Sequence, residues 1–183
     1  MPRTSRFLSL LAGLSLFAGF AHAAEFSVST TSQVSGHFPN AQFANAMGCK
    51  GDNISPQISW EGAPAGTKSF VVTMYDPDAP TGSGWWHWVV VNLPVGTTEL
   101  PQGAGSAGGK LPVGALQINN DASQPNYGGI CPPPGPEHRY VITVHALKVA
   151  KLDLPPNATP ALVGFMTGFN SLGKASITVL GGR

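Results

Sequence analysis

The chain has 183 residues, of which only 10% are charged, with 23 glycines and 17 prolines. That length fits one domain able to bury its own core. The composition excludes a coiled coil or a long-helix protein, and favours short elements joined by turns. Arg3 and Arg6 precede the apolar stretch Phe7–Phe20, and Ala21-His22-Ala23 supplies small residues where a signal peptidase cuts. This pattern predicts a secretory signal peptide over 1–23, a domain over 24–183, and a periplasmic or secreted product. The apolar run is too short for a comfortable membrane span, so no stable membrane insertion is expected. Without the leader, eight basic residues face nine acidic ones, a net charge of −1 with no basic cluster. Nucleic acid is therefore not an expected partner.

In chain order, Glu25–Gln33 reads as a short edge strand. Phe38–Ile58 reads as loop, Gln57–Trp60 as a strand, and Gly62–Gly66 as a turn. Ser69–Asn92 is the centre of the sequence: two strands apolar on both faces, hinged by Asp76-Pro77-Asp78-Ala79-Pro80. In strict alternation Phe70, Val72, Met74 and Asp76 share one face, and Trp85, His87, Val89 and Val91 share another. Leu93–Gly129 lacks periodicity and reads as a flexible connection. Its Gly108-Gly109-Lys110 is no phosphate loop, because Ala104 stands where the first glycine belongs and Leu111 follows the lysine.

Tyr127–Pro136 is a rigid turn leading into a strand in which His138, Tyr140, Ile142 and Val144 alternate with Arg139, Val141, Thr143 and His145. Thr159 as N-cap and Pro160 as first residue predict a helix over Ala161–Leu172, stopped by Gly173, before a last strand Ala175–Leu180. The fold class is mainly β with a small helical addition. Cys49 and Cys131 are the only cysteines, and in an exported chain one disulfide is expected.

Asp76, His87 and His138 each stand at a loop-to-strand junction. If their strands are neighbours, the three converge at one rim, near Trp85, Tyr140 and a row of prolines, as in a small-ligand pocket. His145 faces away from His138, and His37 has no supporting pattern, so neither receives a role. No cofactor or metal is expected, although two histidines and a carboxylate could hold zinc or iron.

Asp76–Pro80, Trp85-Trp86-His87-Trp88, Tyr127-Gly128-Gly129 with Pro132-Pro133, and Gly135–Tyr140 together resemble the phosphatidylethanolamine-binding protein family. This is the Raf-kinase-inhibitor-like family, and the resemblance points to its bacterial YbhB/YbcL-like branch. It runs from about Phe26 to the C-terminus. It implies a β-sandwich of a large and a smaller antiparallel sheet in a Greek-key arrangement. It also implies a pocket for phosphate or a phosphorylated head group such as phosphoethanolamine. Carried over position by position, the ligand-binding residues are Asp76, Pro80, Trp85, His87, Gly129, Pro132, His138 and Tyr140. The loop from Pro80 to Trp85 is short beside that of the family's animal members. The end at Gly182-Arg183 implies that no C-terminal helix covers the mouth.

The expected donors to an anion are the imidazole N–H groups of His87 and His138, the Tyr140 hydroxyl, and the backbone N–H groups of Gly129–Cys131. Asp76 would fix one histidine's tautomer, and binding should strengthen as pH falls toward the histidine range. The chain is thus expected to be an exported anion-binding protein that can regulate a partner, rather than an enzyme. The alternatives are an Asp/His-based hydrolase and an interaction protein of the protease- or kinase-inhibitor kind. Against the hydrolase, no G-x-S-x-G is present.

Overall fold

A computed structural model describes residues 25–183; the expected signal peptide lies outside the described residues. Among the described residues, two antiparallel sheets and one α-helix make the fold. The smaller sheet has the order β1-β2-β5, from β1 (Ser27–Ser29), β2 (Ile58–Glu61) and β5 (Glu99–Leu100). The larger has the order β6-β4-β3-β7-β8, from β3 (Ser69–Asp76), β4 (Trp85–Pro94), β6 (Leu116–Gln117), β7 (His138–Leu147) and β8 (Ser171–Gly181). The helix α1 spans Pro160–Asn170. No helix among the described residues is long and apolar enough to cross a membrane.

Strand β3 is central in the larger sheet and buries both of its faces, as its unbroken apolar run predicts. Phe70, Val72 and Met74 pack with Trp88, Tyr140 and Ile142 against Ile58, Trp60 and Leu100 on the small-sheet side. Val71 faces the opposite way, joining Val89, Val91, Leu147 and Leu152 beneath Val163 of α1. Burial of each such side chain contributes roughly 1.5–3 kcal/mol. The sheet is therefore a wall between two apolar layers, and its functional groups are confined to its ends.

The helix starts as expected, with Thr159 Oγ1 accepting from the Leu162 N–H at 3.2 Å and Pro160 in the first turn. It ends at Asn170, two residues short of the expected Leu172, and Ser171 passes directly into β8. The last strand is accordingly longer than Ala175–Leu180. It pairs along all of β7, from His138 opposite Gly181 to Leu147 opposite Ser171, and that long-range ladder overrides the local stop at Gly173.

Leu93–Gly129 is not a loose connection. It contributes Leu100, Ala104 and Tyr127 to the core between the sheets. Gly105 lies so close to the Trp88 indole that a Cβ there would come within 2.2 Å of it. Small residues make this stretch look featureless, yet they permit that approach. Asn120 organises its far end, its Oδ1 accepting from the N–H groups of Ala122 and Gln124 and its Nδ2 donating to the Asn126 carbonyl.

Cys49 and Cys131 form a disulfide across a separation of 82 residues, with Cα atoms 5.9 Å apart. Removing so long a cross-link releases chain entropy in the unfolded state. Dithiothreitol or Cys131→Ser should lower unfolding free energy by up to about 4–5 kcal/mol. A denaturant midpoint indifferent to reductant would contradict this. His145, half-buried near Lys174, has its pKa pushed down to about 4 by burial and then by the lysine's charge. The folded state therefore favours the neutral ring. Its contribution to stability is complete above about pH 6.5 and declines as pH falls toward 4. In His145→Gln that part of the decline should flatten, as read by thermal unfolding across the range.

Candidate functional site

Because β3 runs antiparallel to both β4 and β7, the end of β3 lies beside the starts of its two neighbours. Asp76 ends β3, Trp85 and His87 open β4, and His138 opens β7. These groups line one cavity of about 200 Å³, together with Pro80, Pro132 and Pro133. The convergence expected of Asp76, His87 and His138 is thus present.

His87 reaches this cavity through a β-bulge. Met74 pairs with Trp88 while Tyr75 pairs with Trp86, so His87 is an extra residue with no partner on β3. Unbroken alternation would have put it with Val89 and Val91, beneath the helix. The bulge instead turns it to the face of Trp88 and Tyr140, with the His87 and Tyr140 ring centroids 5.4 Å apart. The expected grouping of Trp85 and His87 with Val89 and Val91 therefore fails, and its failure makes the site.

His87 is 5% exposed, and its Nδ1 lies 2.8 Å from the Gly128 carbonyl, an acceptor only, so Nδ1 carries the proton. Burial pushes the pKa of the ring down, against the smaller raising effects of the Gly128 carbonyl and the Asp76 charge. The neutral ring thus turns an unprotonated Nε2 to the cavity, an acceptor rather than the expected donor. The Gly128 N–H returns a bond to the His87 carbonyl at 2.9 Å, which locks the ring and the 127–129 strip together.

His138 Nδ1 sits 2.7 Å from Asp76 Oδ2, with both side chains buried. The other oxygen, Oδ1, accepts from the Asp78 N–H at 2.8 Å. Asp76 therefore closes the turn and orients the histidine at once. Nε2 of His138, like that of His87, has no hydrogen-bond partner among the described residues and is left to the cavity that both rings line.

The cavity walls are fixed from several sides. Asp78 grips Arg139 through two side-chain bonds of 2.9 and 2.7 Å and accepts its backbone N–H at 2.9 Å, which lowers the Asp78 pKa to about 2. The Tyr75 hydroxyl donates to the Ser83 carbonyl at 2.7 Å across the hairpin loop. Gly84, at φ +70°, has no space for a Cβ beneath that tyrosine. On the far wall the disulfide holds Met47 beside Cys131 and Pro132.

Six of the eight expected ligand residues line the cavity: Asp76, Pro80, Trp85, His87, Pro132 and His138. Tyr140 stands behind them, fully buried, with a hydroxyl that has no partner among the described residues and a pKa raised chiefly by burial. Gly129 lines an adjoining hollow. Its N–H donates to Asn53 Oδ1 at 2.6 Å, and that of Ile130 to the Gln42 carbonyl at 3.1 Å. Those two N–H groups are thus spent on structure, and a Cβ on Gly129 would press within 2.4 Å of the Ala44 nitrogen.

Sequence reasoning missed Met47, Ala79, Thr81 and Pro133 as lining residues. Ala79 was legible within the Asp-Pro-Asp-Ala-Pro motif, whereas Met47 arrives only through the cross-link. No group of three or more His, Cys, Asp or Glu side chains among the described residues is arranged to hold a metal ion. Asp76 already uses both oxygens within the protein.

Known proteins share both sequence and fold with this chain. The sequence pattern of the phosphatidylethanolamine-binding protein family matches residues 31–181. Protein YbhB of Escherichia coli K12 is 56% identical over 142 residues, covering 78% of this chain and 90% of YbhB. YbcL of the same organism is 48% identical over 161 residues, covering 86% of this chain and 88% of YbcL. The crystal structure of E. coli YbcL, described as a new member of the mammalian PEBP family, superimposes with a TM-score of 0.83 at 46% identity. It covers 87% of this chain and 99% of that one. The Chlamydia trachomatis PEBP homologue CT736 superimposes at 0.68 with 25% identity, covering 85% and 95%. With the two-sheet fold and the paired histidines at its rim, this chain belongs to the phosphatidylethanolamine-binding protein family, beside its bacterial YbhB and YbcL relatives.

Proposed function

We propose that this chain is an exported protein that binds small phosphorylated anions in the cavity between β3, β4 and β7, and that a partner protein reads the occupied proline-rich rim. One observation carries the reading. Two histidines, each with Nδ1 committed to the protein, leave Nε2 to one apolar-walled cavity. Two nitrogens of this kind suit a phosphomonoester monoanion, which offers a P–OH donor and charged acceptor oxygens together. Neutral His87 would accept the P–OH, and a charged oxygen would accept from His138 Nε2 when that atom carries a proton. Export is supported by the leader pattern and by the Cys49–Cys131 disulfide, since such bonds persist in oxidising compartments. Binding is favoured over hydrolysis by the state of the cavity hydroxyl and thiol groups. Thr81 Oγ1 donates to the Gly84 carbonyl, and Cys131 is oxidised.

The tautomer of His87 gives a pH signature with a definite sign. A phosphomonoester gains a proton near pH 6, so its affinity should rise by up to about tenfold per unit as pH falls from about 8 to about 6 and level off below that. Sulfate keeps its charge over this range and supplies no proton. Its contact with His87 should strengthen only below the ordinary histidine pKa, because burial lowers that of His87. Calorimetric titration of both anions tests this, and a flat phosphate profile would remove the histidine role. Asp76→Ala leaves His138 Nδ1 and the Asp78 N–H without their acceptor. It should cost about 3 kcal/mol in denaturant unfolding and abolish measurable phosphate binding. Wild-type affinity in a folded Asp76→Ala protein would exclude this cavity as the anion site.

A further inference from the structure

Beyond the anion cavity lies a second hollow of about 280 Å³, and the two share Met47 and Trp85. The two hollows therefore adjoin at these residues. The chemistry differs between them. The first cavity presents imidazoles, a carboxylate and prolines. The second presents Asn45, Asn53, Gln124 and the 128–129 backbone beside the Trp85 indole, with no ionisable side chain in its lining.

We propose that this second hollow is a subsite for the neutral, hydroxyl-rich part of a phosphorylated ligand, a polyol or sugar phosphate whose phosphate occupies the histidine cavity. The proposal rests on the anion reading above and adds what the rest of the ligand is. Side-chain amides both donate and accept, which matches hydroxyl groups, and an indole face beside them offers apolar contact to the C–H side of a polyol. An ammonium group such as that of phosphoethanolamine finds no carboxylate here. The one in the first cavity, Asp76, is already engaged by His138 and by the Asp78 N–H. An acyl chain would bury apolar surface against amides, leaving those polar groups without water or partners.

The hollow is a built feature. Gly129 and Asn53 fix its floor, the N–H of one donating to Oδ1 of the other at 2.6 Å. The Gln124 backbone is pinned by bonds between its N–H and Asn120 Oδ1 and between its carbonyl and the Asn120 N–H. The side chains of Asn45 and Gln124 make no hydrogen bond within the described residues, and both residues are exposed, so removing them should leave the fold intact.

Calorimetric titration of the folded chain with inorganic phosphate, phosphoethanolamine, glycerol phosphate and glucose phosphate tests the idea. Glycerol phosphate and glucose phosphate should bind about tenfold tighter than inorganic phosphate, and tighter than phosphoethanolamine. The double variant Asn45→Ala/Gln124→Ala should lose that advantage while holding inorganic phosphate within about twofold of wild type. Equal affinity for glucose phosphate and inorganic phosphate, a preference for phosphoethanolamine, or an advantage that survives in the double variant would overturn the subsite and leave the anion cavity standing. Failure of all four compounds to bind would instead overturn the anion reading, and the subsite with it.

Discussion

The extra residue in β4 at His87 is the constraint on which the site depends. A strand buried on both faces has no spare direction for a polar side chain, because alternation sends each residue into one apolar layer or the other. Inserting one unpaired residue shifts the phase of alternation at the strand's end. Trp85 and His87 thereby point to the side where Asp76 and His138 arrive, while Val89 and Val91 remain under the helix. The ladder loses one pair, and the side-chain bond from His87 to Gly128 with its backbone return compensates locally.

That one phase shift would be of little use if the walls could move. Each wall is tied down separately. The hairpin loop is closed by Tyr75 on Ser83 and latched to β7 by Asp78 on Arg139. Arg139 is largely exposed, so solvent screens this ion pair and its effect is chiefly positional. The opposite wall combines a run of prolines, which restricts the backbone, with a disulfide that brings in a loop from eighty residues upstream. A ligand bound in such a cavity would lose little ordering entropy, because the groups lining it are already held in place.

Burial sets the electrostatics. His87 is neutral because it is buried and its Nδ1 proton is fixed by a carbonyl, while His138 is oriented by a carboxylate. Two rings of the same residue type therefore meet one cavity on different terms. The fold gives the family's rim its shape, and these local bonds set how each imidazole is presented there.

Much of this was legible in the residues. The buried character of β3 and β4, the Thr159-Pro160 helix start, the mainly β class and the placing of Asp76, His87 and His138 at loop-to-strand junctions all follow from local pattern, because burial, capping and turn chemistry are short-range properties. The length of β8 and the order hidden in Leu93–Gly129 were not. Both come from contacts between residues far apart in sequence, and small residues such as Gly105 leave no hydrophobic signal of them. The facing of His87 is the decisive case. Its sequence, Trp-Trp-His-Trp, fixes that an imidazole stands near the start of a strand. Only the pairing of β3 with β4, which skips that residue, decided which side of the sheet it occupies, since register is a property of two strands and one strand cannot encode it alone.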